Sequence, residues 1–307
     1  MQLISQTAVQ GSPSPTHQRD VCIPVSVIVA ARNESRNLPR CLQSLSKFGE
    51  VYVVDSQSTD NTRQIANEYG AKVVDFHYRG GWPKKRQWAM DALPLDNDWI
   101  MLLDADEAIP HELQMEIRQA IKNPQIDGYY ISLHVVFLDR VLRHCGASFE
   151  KLCLFRRGSG RFECRLKDQD ISMCDMEVHE HVVVKGRTAK LKGHIDHHNV
   201  ESISHSIQKH NDYSNWEAAV AMNGTDHDEA LTPSLFGSQA QQRRWLKKKL
   251  FRVPGFPVFL FLYRYLFRLG FLDGVPGLIY CSFQAIQTFQ IKAKIYELKL
   301  TSGTKKD

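Results

Sequence analysis

The stretch Ile100-Met101-Leu102-Leu103-Asp104-Ala105-Asp106-Glu107 decides the fold, because an apolar strand ends there in two carboxylates one residue apart. Successive side chains of a strand alternate between its faces, so Asp104 and Asp106 are expected on the same side. In a parallel α/β sheet, ligands bind at the carboxyl ends of the strands, which is where this pair falls. Carboxylate oxygens at such an edge suit a divalent cation, although a solvated Asp-x-Asp turn has the same pattern.

The motifs upstream of this stretch repeat its form. Residues 51–55 are an apolar run that ends in Asp55, and residues 25–30 are a β-branched run typical of a strand buried on both faces. Two more strands are predicted at 71–75 and 99–104, and helices at 37–45, 62–69, 83–93 and 110–121. Strand and helix therefore alternate four times over short connections, which predicts a parallel, doubly wound α/β sheet.

Acidic side chains gather at one edge of this predicted sheet. The loops at the carboxyl ends of its strands contribute Glu34, Asp55, Asp104 and Asp106. These carboxylates would repel one another unless a cation lay among them. The pattern therefore favours a site for a metal ion and a nucleotide over a purely structural sheet.

The same residues resemble a known family. Residues 25–121 are similar to the catalytic domain of inverting glycosyltransferase family 2, which has the GT-A fold of nucleotide-diphospho-sugar transferases. The similarity runs through the motifs Val27-Ile28-Val29-Ala30-Ala31-Arg32-Asn33-Glu34, Val53-Val54-Asp55-Ser56-Gln57-Ser58-Thr59-Asp60-Asn61-Thr62, Lys85-Arg86-Gln87-Trp88-Ala89 and Leu103-Asp104-Ala105-Asp106-Glu107. Val178-His179-Glu180 and the Gly-Phe-Leu-Asp-Gly segment at 270–274 are most similar to the lipopolysaccharide-core β-glucosyltransferase branch of that family.

The resemblance implies an α/β GT-A fold, a doubly wound mixed sheet with a helical C-terminal extension. We expect a disordered leader at residues 1–21, a catalytic domain at 22–225 and a basic, apolar, membrane-associating extension at 226–307. The leader is rich in Gln, Ser, Pro and Thr and lacks the apolar core of a secretory signal. The expected location is therefore the cytoplasm, peripheral on the inner face of the cell membrane.

The resemblance also implies roles for individual residues. The residues implied at the donor nucleotide are Ala30, Arg32, Glu34, Asp55 and Asp104. Those implied at a bound Mg²⁺ or Mn²⁺ are Asp104, Asp106 and His197. Lys85 and Arg86 lie at a predicted helix start, where cations suit phosphate binding, and a solvated helix face is the alternative interpretation.

Inverting transfer needs one carboxylate to take the proton of the acceptor hydroxyl while its oxygen attacks the anomeric carbon. The resemblance makes Glu180 the predicted base, with Asp175 as the reserve candidate. Residues 129–137, 151–156 and 177–184 have strand patterns, and we expect them to extend the sheet on the acceptor side. A zinc site built from the nearby histidines is an alternative that no standard ligand spacing supports.

The C-terminal third mixes cations with aromatic and aliphatic residues. Six cations lie within residues 243–252, and a largely apolar run follows at 254–263. Charged residues and glutamines interrupt the apolar runs, so none is long enough to cross a bilayer. A basic, aromatic-rich amphipathic helix is typical of the surface of an anionic membrane, and a helical pair packed on the catalytic domain is the alternative.

Composition limits the classes of partner. The formal net charge of +5 suits an anionic nucleotide or membrane surface, and no nucleic-acid-binding motif is present. The seven cysteines are widely spread and include no Cys-x-x-Cys pair, which is typical of reduced thiols.

These features together predict an inverting hexosyltransferase. The resemblance implies glucose from UDP-glucose as the donor, and a glycan or lipid-linked hydroxyl in lipopolysaccharide synthesis as the acceptor. A nucleotidyltransferase would carry a Gly-rich loop after its first strand, where this chain has Ala31-Arg32-Asn33-Glu34. A scaffold or degenerate transferase at the membrane would bind a nucleotide sugar without turnover, and the intact acidic set argues against it.

Overall fold

The computed structural model describes residues 22–168, 175–177, 180–198, 203–223 and 255–303, with residues 232, 234–236, 241, 242, 245 and 253 between them. The predicted leader at 1–21 lies outside the described residues. So do Val178, His179 and, apart from Trp245, the basic run at 243–252.

The first half of the described chain confirms the predicted alternation of strands and helices. The strands are β1 (Ile23–Ala31), β2 (Phe48–Asp55), β3 (Lys72–Asp75) and β4 (Trp99–Asp104). The helices between and after them are α1 (Leu38–Ser44), α2 (Thr62–Glu68), α3 (Lys85–Ala92) and α4 (His111–Ala120). The four strands pair in parallel in the order β3-β2-β1-β4, so their carboxyl ends meet at one edge.

The sheet then continues with antiparallel pairs, which makes it mixed. The added strands are β5 (Glu107–Ala108), β6 (Gly128–Phe137), β7 (Arg140–Val141), β8 (Phe149–Arg156) and β11 (Thr188–His198). Among the described residues, the full order is β3-β2-β1-β4-β8-β6-β11-β5, with β7 paired to β6. Strand β8 runs antiparallel to both β4 and β6, whereas β11 runs parallel to β6.

One strand prediction needs correction, and one strand was not predicted. Of the strand predicted at 177–184, Glu177, Glu180 and His181 lie outside any strand, and only β10 (Val182–Val184) is one; it pairs with β9 (Gly160–Phe162) in a separate ribbon. Strand β11 was not predicted, because its register shifts between Lys190 and His194 and this irregularity breaks the alternation of apolar residues.

The strands in the middle of the sheet are deeply buried. Val27, Val29 and Leu103 have no exposed surface, and β1 and β4 are buried on both faces along most of their length. Each fully buried aliphatic side chain contributes about 1.5–3 kcal/mol relative to an exposed one. The loops at the carboxyl edge are therefore carried on a tightly packed base.

Helices form the C-terminal part. They are α5 (Ile203–Asn223), α6 (Phe256–Leu262) with a π-helical turn at Tyr263–Phe267, a 3-10 turn at Gly270–Asp273, and α7 (Gly274–Gly303). The ammonium of Lys294 on α7 donates to Asn211 and Ser214 of α5 at 2.7–2.9 Å. The carboxylate of Asp273 accepts from the backbone N–H of His144 at 2.9 Å, which ties the 3-10 turn to the segment that follows β7.

Candidate active site

The loops that follow β1 and β2 are held together at the carboxyl edge. The backbone N–H of Asn33 donates to the Ser58 hydroxyl, and the side-chain oxygen of Asn33 accepts from the Thr59 N–H, both at 2.8 Å. The N–H of Glu34 donates to the Thr62 hydroxyl at 2.8 Å. Asn33 has φ 56°, a left-handed conformation that asparagine tolerates better than most residues. The two loops thus form one preorganised wall.

The residues predicted at the nucleotide lie along this wall with different exposure. Arg32 is exposed, Glu34 is half-buried and Ala30 is buried. Asp55 has no exposed surface, and its carboxylate accepts from the backbone N–H of Ser58 at 3.1 Å and from the Ser58 hydroxyl. Asp55 therefore shapes the loop in this structure, while Arg32 and Glu34 have surface that a ligand can contact.

Lys84 and Lys85, at the start of α3, each pair with a different carboxylate. The Lys84 ammonium lies 2.7 Å from Glu180, and the Lys85 ammonium lies 3.4 Å from Asp175. Lys85 also donates to the carbonyl of Ala31 at 3.1 Å. Neither lysine side chain is exposed. Arg86 is also buried, so the alternative of a solvated helix face is wrong.

Both carboxylate oxygens of Asp104 meet protein cations. Arg86 donates to Oδ1, and the Lys151 ammonium lies 3.3 Å from Oδ2. Lys151 also donates to Glu107 at 2.9 Å. Burial would raise the pKa of Asp104, but Arg86 and Lys151 hold it well below its usual range. The structure thus gives Asp104 two internal partners in place of open coordination positions.

Strand β11 brings His197 to Asp106. The pairing of β5 with β11 sets His197 opposite Glu107, and the N–H of His198 donates to the Asp106 carbonyl at 2.9 Å. The His197 Nε2 atom lies 3.3 Å from Asp106 Oδ2, and the Lys209 ammonium lies 3.8 Å from the same oxygen. Burial would raise the pKa of Asp106, but His197 and Lys209 lower it to about 2.

The residues around Asp106 fit a divalent cation. The Oδ1 atom of Asp106 and the Nδ1 atom of His197 are buried and have no hydrogen-bond partner in the described part of the chain. Within those residues, no group of three His, Cys, Asp or Glu side chains is arranged to hold a metal. Mg²⁺ commonly takes only one or two carboxylates and completes its shell with phosphate oxygens and water. An open oxygen on Asp106 suits that mode of binding.

The two candidate bases differ in exposure. Glu180 has no exposed side-chain surface, and it is held by Lys84 and by the backbone N–H of Arg165 at 3.1 Å. Burial raises the pKa of Glu180 against the opposing effect of Lys84. Asp175 keeps 12% of its side chain exposed and accepts from the Ser56 hydroxyl. The pKa of Asp175 is lowered, because Lys85 and Ser56 outweigh the effect of burial.

Sequence reasoning missed four residues that the structure places here: Lys84, Lys151, Glu177 and Lys209. The carboxylate of Glu177 accepts from the backbone N–H of Gln87 at 2.9 Å and of Arg86 at 3.2 Å, so it satisfies the first turn of α3. A signal exists for Lys151. Continuing the Met101–Leu154 register by three places sets Lys151 opposite Asp104. The register itself, however, follows only from knowing that β8 lies beside β4.

The chain is similar to known glycosyltransferases. Residues 26–176 match the model of glycosyl transferase family 2. An uncharacterized glycosyltransferase of Rickettsia conorii is 28% identical over 287 residues, covering 91% of this chain and 92% of that protein. The lipopolysaccharide core biosynthesis glycosyltransferase LpsC of Rhizobium meliloti is 25% identical over 293 residues, which cover 90% of this chain and 93% of that protein. Among solved structures, S. aureus TarS 1–349 aligns with a TM-score of 0.46 and 18% identity, over 90% of this chain and 91% of that chain.

The matched domain and the polar carboxyl edge of its sheet define a nucleotide-sugar-dependent transferase, and residues 26–176 are a domain of glycosyltransferase family 2. Its fold is the α/β GT-A type that the sequence motifs implied, with a mixed sheet and C-terminal helices.

Proposed function

We propose that this glycosyltransferase moves a hexose, glucose from UDP-glucose in the first instance, to a hydroxyl of a cell-envelope glycan or glycolipid. The observation that carries the proposal is that the buried Oδ1 atom of Asp106 has no hydrogen-bond partner among the described residues. This atom lies at the carboxyl edge of the sheet, within the family 2 domain. The similarity to LpsC, which is named for lipopolysaccharide core biosynthesis, supports an envelope acceptor.

The donor would bind along the wall formed by the loops after β1 and β2. Arg32 and Glu34 would contact the base and ribose, with Ala30 below them, and Asp55 would keep the Ser58 loop in place. Lys85 and Arg86 would position other groups of the site rather than bind phosphate themselves. Lys85 donates to the carbonyl of Ala31, and Arg86 donates to the carboxylate of Asp104.

Asp106 and His197 would hold Mg²⁺ or Mn²⁺. Asp104 would lie beside this pair and support it without a free oxygen of its own, because Arg86 and Lys151 occupy both of its oxygens. A bound cation supplies positive charge that stabilises the leaving diphosphate. Arg86 and Lys151 keep Asp104 ionised but also offset its charge, so Asp106 would be the main carboxylate ligand of the cation.

The segment at 175–180 would supply the general base. Glu180 remains the first candidate and Asp175 the second. Glu180 would have to exchange the Lys84 ammonium for the acceptor hydroxyl, whereas Asp175 is already partly exposed beside the donor wall. Removing the base lowers the turnover rate by about 10²–10⁴-fold, so comparing turnover by Glu180→Gln and Asp175→Asn assigns the role.

We also propose that the C-terminal helices lie on an anionic membrane surface from the cytoplasmic side. Large apolar side chains are exposed along α6, the turns and the start of α7: Val258, Phe259, Leu266, Phe267, Leu272 and Val275. Arg264 and Arg268 lie among them, and the basic run at 243–252 precedes them in the chain. No helix within the described residues has the length and apolar character needed to span a bilayer. Apolar side chains interspersed with cations are typical of binding to a lipid surface.

Calorimetry with a panel of nucleotide sugars tests the donor site. We expect one donor to bind in Mn²⁺, to bind more weakly in EDTA and to lose its metal dependence in Asp106→Asn. Asp98→Asn is the matched control, because Asp98 is 86% exposed and lies just before β4. Failure of every donor to bind folded protein would overturn the proposed function. Binding without transfer to any envelope acceptor would favour the scaffold or degenerate transferase.

A further inference from the structure

The cations around the Asp-x-Asp motif differ in how fully they are engaged. Arg86 and Lys151 are within hydrogen-bond distance of Asp104, and Lys151 also bonds Glu107. Lys209 on α5 approaches Asp106 only to 3.8 Å, which is beyond a hydrogen bond, and 29% of its side chain is exposed. Lys209 therefore has donor capacity that a ligand at this edge can use.

The position of Lys209 matches the place where the proposed reaction develops charge. The bond between the anomeric carbon and a diphosphate oxygen breaks while the acceptor oxygen forms its new bond and its proton passes to the base. The diphosphate leaves with that electron pair, beside Asp106. A fixed cation there is worth more in the transition state than in the ground state, because the charge on the leaving oxygen grows.

The surroundings keep Lys209 charged and in place. Its ammonium lies 3.8 Å from the Asp106 carboxylate, and a lysine side chain is protonated at neutral pH. The helix that carries it is fixed from behind, because Lys294 of α7 donates to Asn211 and Ser214 on α5. Lys209 therefore reaches the carboxyl edge from a helix that begins after the last residue of the family match.

We propose that Lys209 binds the diphosphate of the nucleotide-sugar donor, and that its ammonium turns from Asp106 to the phosphate oxygens when the donor binds. This inference rests on the proposed function, since it assigns a ligand to the same site. It makes Lys209 a substrate-binding residue that complements the cation held by Asp106.

Calorimetry with nucleoside diphosphates and the matching monophosphates tests the assignment. The probes are UDP, GDP, ADP and CDP with UMP, GMP, AMP and CMP, each in Mn²⁺ and in EDTA. For the diphosphate that binds, we expect Lys209→Met to weaken binding at least about tenfold and to change monophosphate binding less than about twofold. Lys209→Arg should restore most of the diphosphate affinity, because it restores the charge.

Lys190→Met is the matched control, since Lys190 is exposed and pairs with Glu150 away from the motif. Retained monophosphate binding shows that the Lys209→Met protein is folded. Equal diphosphate affinities for wild type and Lys209→Met would overturn the role of Lys209 and leave the proposed function standing. An equal loss for diphosphate and monophosphate would also overturn it. Failure of every nucleoside diphosphate to bind the wild type would overturn the proposed function itself.

Discussion

Lys84 and Glu180 form an ion pair with an N–O distance of 2.7 Å, and neither side chain has any exposed surface. The indole of Trp216 on α5 covers the pair, with its ring centre 4.5 Å from the Lys84 ammonium. The pair thus joins α3, the segment that holds the candidate base, and the C-terminal helices. A buried ion pair contributes little net stability, but loss of one partner leaves an uncompensated charge.

Lys84→Met should therefore destabilise the protein by about 3–5 kcal/mol, because Glu180 would remain buried without its partner. Urea unfolding followed by circular dichroism measures this loss. The double variant Lys84→Met/Glu180→Gln should recover part of it, since the stranded charge is gone. A loss below about 1 kcal/mol in the single variant would mean that water reaches Glu180 or that its carboxyl takes up a proton, so that no buried charge is left unpaired.

The stability contributed by Glu50 should depend on pH. Burial would raise its pKa, but hydrogen bonds from Ser26, Lys72 and the Asp96 N–H lower it below the usual 4.5. A lowered carboxyl pKa contributes stability above the unfolded value, and this stability is lost as the pH falls through the folded value. The difference in the free energy of unfolding between wild type and Glu50→Gln should be largest near pH 7 and shrink below about pH 4.5.

Urea unfolding at several pH values between 7 and 3 measures that gap. Glu68→Gln, on the exposed face of α2, is the control for general effects of removing a carboxylate. A gap that stays constant over this range would contradict the assignment of Glu50 as a charged, bonded partner of Lys72.

Gly277 should not tolerate a side chain. An added Cβ would overlap the carbonyl oxygen of Gly270 and lie 2.7 Å from the Cβ of Asp273. Gly277→Ala should therefore separate α7 from the 3-10 turn and cost about 1–3 kcal/mol. Thermal unfolding measures the loss, and Leu278→Ala is the neighbouring control because Leu278 is exposed. Equal stability of the two variants would contradict the close packing of this turn.

The double variant Phe267→Ser/Phe271→Ser should bind anionic vesicles more weakly than wild type. Phe267 is 76% exposed and Phe271 is 45% exposed, so both can contact lipid without unfolding. Flotation with phosphatidylglycerol vesicles measures binding, and Tyr69→Ser, an exposed aromatic on the catalytic domain, is the control. Wild-type protein that fails to float but sediments as a dimer would show that a second copy covers this surface.

Local patterns predicted the parallel half of the sheet well, because each strand there contains a run of apolar residues near its carboxyl end. Trp99–Asp104 was predicted with both ends correct, since the strand stops where Asp104 replaces apolar residues. The partners of its carboxylates were harder to predict. Lys151 is 47 residues from Asp104 and His197 is 91 residues from Asp106, and only the strand order brings them together.

The difference between local patterns and long-range contacts also applies to His197 and Lys209. His197 was assigned by resemblance, but its place beside Asp106 depends on β11, which the alternation of apolar residues did not reveal. Lys209 carried no local signal, because a lysine on a polar helix is ordinary in sequence. Long-range ion pairs follow from the topology of the sheet, and a short stretch of sequence does not reveal that topology.

His197 and Lys209, the two side chains that reach the carboxylate of Asp106, both lie after residue 176, where the family match ends. A chimera that joins residues up to 176 of this chain to the rest of a relative would keep Asp104 and Asp106 but exchange both of these partners of Asp106. The surroundings of Asp106 are therefore not modular at that boundary. Divergence among relatives in the C-terminal part can change the partners of Asp106 while both carboxylates of the Asp-x-Asp motif stay the same.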